Sequence, residues 1–304
     1  MAGGFVVDIE ALRLLTALAD TGSLTAAGRR LGVTQQAASA RLRALEGDVG
    51  AVLVERSARG SRLTRVGELV EGWGREVMAA ADRFDESVGA LRERRRGTLR
   101  VAASLTVAEH LLPAWVAAWR QRDPAAPGVR LDAENSAAVI ARVRRGGADL
   151  GFIETPDLPT DLRNVVIARD EIVIVVSPSH PWAQRRRLDP AEVAGTALVL
   201  RERGSGTRRA LEAALDAAGT PLTAAPAAEL PSSSAVRTTA ATGFAPAAVS
   251  ALAVRDDLHS GRLVRVEMDG EVITRPVAAV WAGREPEPAA SRLLAVIADT
   301  LGIG

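Results

Sequence analysis

The chain has 304 residues, of which 47% are apolar and 25% charged, with a formal net charge of +1. These values favour two or three folded domains and exclude a globally disordered chain. Cysteine is absent, so disulfides, thiolate zinc sites, iron–sulfur clusters and cysteine nucleophiles are excluded. All 38 basic residues are arginine, which also excludes a P-loop lysine and a Schiff-base lysine. The small basic excess does not by itself predict a polyanionic partner.

The sequence carries no signal for export or for membrane insertion. Asp8 and Glu10 lie where a signal peptide would be apolar. No uncharged apolar run reaches the roughly 18 residues of a membrane-spanning helix. We therefore expect a protein located in the cytoplasm, without a membrane partner.

Residues 1–65 show the pattern of a small helical domain. Apolar residues recur at helical spacing from Ile9 to Ala19, and Ser23 is a good N-cap for a second helix. A tight turn follows, and Thr34 is a good N-cap for a third helix. The apolar face of this third helix consists of Ala38, Leu42, Leu45 and Val49.

The third helix opens with polar side chains that add nothing to its apolar face. Glutamine amides can bond adenine in two places, arginine prefers guanine or phosphate, and a helix N-terminus favours an anion. A helix-turn-helix protein presents such side chains to the major groove of DNA. We interpret this helix as a recognition helix; the alternative is a solvated polar face on a small helical bundle. The side chains concerned are Gln35, Gln36, Ser39 and Arg43.

An arginine-rich segment, VERSARGSRLTRVG, follows at residues 54–67. The turn residues around Gly60 favour a short hairpin, a wing whose arginines can reach backbone phosphate or the minor groove. A solvated basic loop is the alternative. The arginines of this segment are Arg56, Arg59, Arg62 and Arg65.

A long helix is predicted from about residue 65 to residue 94. Its apolar residues repeat at steps of three and four, which approximates a heptad seam. Because the helix lies between two domains, where no core covers it, we predict dimerisation through this seam; an ordinary core stripe is the alternative. Residues 66–96 are therefore expected to be a linker that ends in a hinge at RERRRG. The predicted dimer contacts are Val70, Trp73, Val77, Phe84 and Val88.

Residues 97–304 alternate strand-like apolar runs with helical patterns, which favours a mainly parallel sheet covered by helices on both faces. The length suits two α/β subdomains, the first at about 97–167 and 270–304 and the second at about 168–269. Helices are predicted at about 107–121, 136–145, 207–218, 235–242 and 288–301. The predicted strands are TLRVAAS, VRLDAE, ADLGFIE, EIVIVVS, TALVL and PVAAVWA.

Small polar residues stand where strands end and helices begin, which is where α/β sheets bind ligands. Hydroxyls and glycines at helix starts can surround a small anion. The alternative is that each only caps a helix or forms a turn. We predict a shared pocket for an anionic metabolite, formed by Ser104, Thr106, Asn135, Ser136, Thr155, Gly204, Ser205 and Thr207.

Signatures of catalysis are missing from the sequence. His110, His180 and His259 match no metal-ligand spacing, and no GxSxG nucleophile elbow occurs. The segment Gly204–Gly206 is too short for a dinucleotide-binding fingerprint. We therefore predict a binding protein rather than an enzyme, with no metal and no cofactor.

The N-terminal motif resembles that of the LysR-type transcriptional regulators. Residues 50–68 resemble the wing segment of the family, and residues 243–266 resemble its late effector-domain segment, which adds Phe244 to the candidate ligand residues. The sequence departs from the family at Gln36, where proline is frequent, and at Val54, where phenylalanine is frequent. The family motif of two alanines, a leucine, Thr/Ser-Gln, a serine and Leu-Glu is found here as Ala26, Ala27, Leu31, Thr34, Gln35, Ser39, Leu45 and Glu46.

The resemblance covers essentially the whole chain. It implies an all-α winged helix-turn-helix at residues 1–65, a linker helix, and a two-subdomain effector domain at residues 97–304 that is similar to periplasmic binding proteins. It also implies a homodimer or homotetramer on inverted-repeat double-stranded DNA, with a small-molecule effector bound between the subdomains. By motif position, it implies DNA contacts from Thr34, Gln35, Gln36, Ser39, Arg43, Arg56 and Arg62.

Three other classes remain as alternatives. A metabolite-binding or transport protein with a helical appendage is opposed by the missing signal peptide and by the wing. An enzyme with a regulatory domain is opposed by the missing catalytic signatures. A nucleoid-type protein with little sequence preference would bind DNA without leaving a footprint.

Overall fold

The structure is a computed structural model that describes residues 8–57, 60–95 and 97–302. The side chains at 56, 57, 60, 83 and 85–95 lie outside this description. The chain divides into two compact units, Met1–Glu86 and Ser87–Gly304.

The first unit opens with three helices, as predicted. Helix α1 spans Ile9–Thr21, α2 spans Leu24–Arg30 and α3 spans Gln35–Val49. Ser23 and Thr34 cap α2 and α3 by accepting a hydrogen bond from the backbone amide three residues ahead. Ala19 was expected on the apolar face of α1 but is exposed, because α1 packs against both α2 and α3 through other positions. The buried side chains of α1 are Ala11, Leu12, Leu14, Leu15, Ala17 and Leu18.

The predicted wing is an antiparallel hairpin of β1, Val54–Ser57, and β2, Gly60–Leu63. The carboxylate of Glu46 on α3 accepts hydrogen bonds from the amides of Leu53 and Val54, which ties the wing to this helix. Helix α4 follows at Arg65–Arg95. Gly67 lies so close to the wing that a Cβ there would stand 2.1 Å from the carbonyl oxygen of Leu53. The start of α4 therefore packs directly against the chain entering the wing.

The second unit alternates strands and helices. A π-helical turn at Val107–Leu111 precedes the first of its helices. The helices are α5 (Leu112–Arg122), α6 (Ser136–Arg144), α7 (Pro190–Ala194), α8 (Gly206–Ala217), α9 (Ser233–Ala241), α10 (Ala251–His259) and α11 (Pro288–Leu301). The strands are β3 (Thr98–Ser104), β4 (Gly128–Glu134), β5 (Leu150–Glu154), β6 (Arg163–Val176), β7 (Arg187–Leu188), β8 (Val199–Arg201), β9 (Ala228–Leu230), β10 (Ala247–Ser250), β11 (Val264–Met268) and β12 (Thr274–Trp281).

The sheet is mixed: its outer strands pair in parallel, as expected, and its central strands pair antiparallel. Its strand order is β4-β3-β5-β12-β6-β10-β8-β9, with β11 pairing with β6 and β7. The outer pairs, such as β3 with β4 and β8 with β9, are parallel. The central strands β12 and β6 pair antiparallel with each other and with their neighbours β5 and β10. Strands β6 and β12 both cross between the two halves of the unit, and they cross in opposite directions. They therefore pair antiparallel.

The two halves of the second unit have separate cores. We call residues 98–169 and 274–301 the first lobe, and residues 172–273 the second lobe. In the first lobe, Trp115, Trp119 and Phe152 pack with α11. In the second lobe, helices cover both faces of the β10–β8 sheet. Strands β6 and β12 connect the lobes: β6 pairs with β12 up to Glu171, and with β10 and β11 from Ile172 onward.

Candidate functional site

The first candidate site is the outer face of α3. Its first turn is held by the Thr34 cap, and the buried Ala38 and Leu42 fix which side faces the core. Gln35 and Gln36 are consequently exposed, and no core residue covers them. Such amides at the free N-terminal end of a helix are available to the edges of base pairs.

Ser39 and Arg43 lie one and two turns farther along the same helix. The guanidinium Nε of Arg43 donates to the carbonyl oxygen of Ser39 at 3.2 Å, and the rest of the Arg43 side chain is exposed. Arg62 is exposed on the second strand of the wing. The side chain of Arg56 lies outside the described residues. The structure thus places Arg62 and the α3 side chains in the same unit, on exposed surface.

The predicted dimer face of α4 is exposed at most positions that the structure describes. Trp73 is 62% exposed and Phe84 is 69% exposed, and Val77 is exposed as well. Val70 differs: it is buried in the core of the first unit, so its place in the predicted seam is wrong. The reason is that the first turns of α4 pack on the helical domain before the helix leaves it. The side chain of Val88 lies outside the described residues.

The second candidate site is a cavity of about 470 Å³ between the two lobes. One wall is the start of α6 and the segment after β5, and the other is the start of α8. Ser136, Thr155, Gly204 and Ser205, all predicted as ligand residues, line it. The N-termini of two helices therefore face one cavity, and their partial positive charge favours a negatively charged guest.

Ser205 contributes a buried hydroxyl to this cavity. The residue is 3% exposed and stands at the N-cap of α8, yet its side chain accepts no hydrogen bond from the helix. Gly204 before it has φ +90°, a backbone conformation that favours glycine, and a Cβ there would approach Asn135 to 3.2 Å. Asn135 itself caps α6 and donates to the Glu202 carboxylate, so it supports the wall of the cavity.

Three arginines line the cavity, and two of them are paired with carboxylates. Burial opposes the charge of Arg208, yet hydrogen bonds to Glu212 and Glu229 raise its pKa above the usual value. A hydrogen bond to Asp157 raises the pKa of Arg209. Arg203 has no hydrogen bond or ion pair within the part of the chain that the structure describes. Arg203 therefore offers an uncompensated positive charge at the cavity.

Three predicted ligand residues lie elsewhere, in a buried polar network. Ser104 donates a short hydrogen bond to the Glu154 carboxylate, and Thr106 and Thr207 accept from the guanidinium of Arg275. All three are at most 4% exposed and none lines the cavity. Their direct contact with a ligand, expected from their positions at strand ends, stays a prediction; in this structure their hydroxyls have protein partners.

Phe244 also lies away from the cavity. It is 59% exposed on the loop after α9 and does not belong to the cavity wall. Its role as a ligand residue, expected from the family segment, therefore stays a prediction. Sequence reasoning missed Arg203 and Arg275 as site residues. The run of four arginines between 201 and 209 was the available signal for the first, and no local signal existed for the second.

Within the described ranges, no group of three or more His, Cys, Asp or Glu side chains is arranged to hold a metal ion. Across those same residues, no helix has both the length and the apolar character needed to cross a membrane.

Comparison with known sequences identifies both units. Residues 92–302 match the LysR substrate binding domain, and residues 9–68 match the bacterial regulatory helix-turn-helix protein, lysR family. An uncharacterized HTH-type transcriptional regulator of Mycobacterium tuberculosis is 45% identical over 288 residues, which covers 92% of this chain and 92% of that protein.

Comparison with solved structures confirms the predicted fold class. Full-length CbnR in complex with its target DNA has 22% identity and a TM-score of 0.58, covering 97% of this chain and 100% of that one. The CcmR regulatory domain of Synechocystis in complex with 2-PG has 22% identity and a TM-score of 0.59, covering 67% of this chain and 97% of that one. The chain belongs to the LysR-type transcriptional regulators, with an N-terminal helix-turn-helix DNA-binding domain followed by an α/β effector-binding domain, and it is a regulator rather than an enzyme.

Proposed function

We propose that this regulator responds to a small anionic effector bound in the cavity between the two lobes. The observation that carries the proposal is that two groups of the cavity wall, the guanidinium of Arg203 and the buried hydroxyl of Ser205, have no partner among the described residues. Both lie where two helices begin. Arginine binds carboxylates and phosphates through parallel hydrogen bonds. Hydroxyls and helix N-termini supply further donors without adding a counter-charge.

The size and composition of the cavity support a small guest. Its volume of about 470 Å³ lies within the range of small-molecule sites, roughly 300–1,000 Å³. Asp157 and Glu212 also line it, but each is engaged with an arginine of the cavity lining, Arg209 and Arg208 respectively. The remaining charge of the wall is therefore positive. The related CcmR domain was solved in complex with 2-PG, which agrees with a ligand site in this kind of domain.

We expect Arg203→Gln to remove the response to the effector without unfolding the protein. Arg203 is exposed and makes no described contact that the fold depends on. In a thermal-shift screen of small carboxylates and phosphates, inorganic phosphate included, at least one anion should raise the Tm of the wild-type protein but not of Arg203→Gln.

Arg284→Gln is the matched control, because Arg284 is also an exposed arginine and lies outside the cavity. This control should respond to the anion as the wild-type protein does. Stabilisation by neutral compounds alone, or equal stabilisation of both variants, would contradict an anionic effector in this cavity.

We further propose that the protein acts in the cytoplasm as a homodimer or homotetramer on an inverted-repeat DNA site. The exposed Trp73, Val77 and Phe84 on α4 support association, because a monomer gains nothing by leaving large apolar side chains in water. A two-fold symmetric dimer places two recognition helices about one helical turn of DNA apart, roughly 34–36 Å, and so favours an inverted repeat. The DNA-contacting residues proposed are Thr34, Gln35, Gln36, Ser39, Arg43, Arg56 and Arg62.

Two substitutions should separate sequence reading from phosphate binding. Gln35→Ala should weaken binding to the specific site by about 1–3 kcal/mol and leave random duplex almost unaffected. Arg62→Ala should weaken both and lower the slope of log K against log salt by about 1. Fluorescence anisotropy at several salt concentrations measures both effects.

Gln121→Ala provides the control, since Gln121 is an exposed glutamine on α5 in the second unit. It should change neither affinity nor salt dependence. If Gln35→Ala binds specific and random DNA as the wild-type protein does, α3 does not read bases through this residue.

A further inference from the structure

We propose that Arg275 is a positioning residue that transmits the state of the ligand cavity to the hinge between the lobes. Arg275 is the second residue of the crossover strand β12, in register with Asp170 on the crossover strand β6. It is 1% exposed, and Glu154 and Asp170 beside it are 1% and 3% exposed. The polar network therefore lies at the place where the chain passes from one lobe to the other.

The guanidinium of Arg275 reaches both lobes at once. Its Nη1 donates to Thr207 Oγ1 of the second lobe at 3.0 Å, and its Nη2 donates to Thr106 Oγ1 of the first lobe at 3.4 Å. Its Nε and Nη2 donate to the Asp170 carboxylate at 3.0 and 2.7 Å, and Nη2 also pairs closely with Glu154. A rotation of one lobe against the other must therefore break or exchange hydrogen bonds of this one side chain.

The carboxylates of the network are attached to both lobes as well. Ser250, at the end of β10 in the second lobe, donates to Asp170 at 2.8 Å. Glu154 accepts from Ser104 and from the amide of Val107 in the first lobe. Two carboxylates thus share one guanidinium in a buried place. Such a network has few arrangements that satisfy all its members, so it favours discrete lobe orientations over a continuous range.

The cavity wall is joined to this network through two contacts. The hydroxyl of Ser136, which lines the cavity, lies 3.2 Å from both the amide nitrogen and the carbonyl oxygen of Glu154. On the opposite wall, Thr207 follows Ser205 by two residues in the first turn of α8. A guest that draws Ser136 and Ser205 together therefore moves the partners of Arg275 directly.

The role of the cavity in this inference rests on the proposed function, but the hinge itself can be tested without any ligand. The chain has no cysteine, so spin labels at Gln121→Cys in the first lobe and Arg255→Cys in the second give one interlobe distance. Both positions are exposed. The test variant is Thr106→Val with Thr207→Val, which keeps the side-chain shape and removes one Arg275 contact to each lobe.

Double electron–electron resonance of the labelled full-length protein, co-assembled with excess unlabelled protein so that pairs within one protomer dominate, should show one narrow distance distribution. The double variant should show a broadened and shifted one. Thr196→Val is the matched control, since the one partner of the Thr196 hydroxyl among the described residues is the nearby Glu192 carbonyl within the second lobe. Unchanged distributions in the double variant would overturn the proposal. If the double variant does not fold, Arg275→Lys, which keeps the charge but not the span of the guanidinium, takes its place with the same expected outcome.

The anion that raises the Tm of the wild-type protein provides a second readout. It should shift the interlobe distance of the wild-type protein, whereas the double variant should still bind it with its distance unmoved. An equal shift in both proteins would overturn the role of Arg275. If no anion binds the wild-type protein, the proposed effector fails while the ligand-free distances still decide the role of the hinge network.

Discussion

Gly206→Ala is expected to destabilise the second unit strongly, although alanine is the better helix former. Gly206 is the first residue of α8, and a Cβ built there would lie 1.5 Å from the carbonyl oxygen of Glu154 and 2.7 Å from its carbonyl carbon. Helix propensity alone would make the variant more stable by up to about 1 kcal/mol. The overlap with backbone reverses the sign, at a cost at or above the roughly 1–3 kcal/mol of an overpacked core.

Urea unfolding followed by the buried tryptophans of the second unit measures this effect, since Trp115 and Trp119 are at most 3% exposed. Gly72→Ala in α4 is the control, because nothing lies within 4 Å of a Cβ placed there. The control should be neutral or slightly stabilising. A Gly206→Ala protein as stable as the control would show that α8 does not press against the end of β5.

Arg275→Met is the second change with a large expected effect. It removes the guanidinium shared by Glu154 and Asp170 and leaves two carboxylates in a buried place without a cation. Removing one partner of a buried ionic group costs about 3–5 kcal/mol, because the remaining charge is uncompensated. The free energy of unfolding should fall by that order in the same urea experiment.

The companion variant Arg275→Met with Glu154→Gln and Asp170→Asn separates charge from packing. Neutralising both carboxylates should recover a substantial part of the lost stability, since a neutral network avoids the desolvation penalty. If Arg275→Met loses less than about 1 kcal/mol, or if the triple variant recovers nothing, the buried ion network does not hold the lobes together as described.

The N-terminal helices and the last helix could be predicted from the sequence because their signals are local. Thr34 and Ser23 are N-caps in the sequence and N-caps in the structure. Helix α11 has the bounds expected from its pattern, 288–301, because proline begins it and its apolar stripe is regular. The strand β3 likewise has the predicted bounds, since all but the first of its residues are buried.

The strands that the pattern missed lack a local signal of this kind. Strands β7 and β9 have two and three residues, too few for a periodicity. The first half of β6, from Arg163, is mostly exposed and reads as polar loop, although β12 pairs with it along its whole length. Strand direction depends on how the chain crosses between the lobes, which no window of sequence contains.

Among the candidate ligand residues, some could likewise be placed from local sequence and others could not. Ser136, Thr155, Gly204 and Ser205 could be placed at the cavity because strand ends in α/β sheets converge. Thr106 and Thr207 have the same local setting, yet their hydroxyls belong to Arg275, which is 169 and 68 positions away along the chain. A short polar side chain at a strand end can hydrogen-bond equally well to a ligand or to a buried arginine. Only the fold distinguishes the two.

The most direct test of a sequence-specific, dimeric regulator is a selection of binding sites from random duplex DNA. The full-length protein is used at near-physiological salt, and a footprint is then recorded on the selected site. The account predicts an enriched inverted repeat, with protection on both half-sites, and loss of the enrichment with Gln35→Ala. Equal recovery of all sequences, with no protected repeat, would contradict it and would favour a nucleoid-type protein.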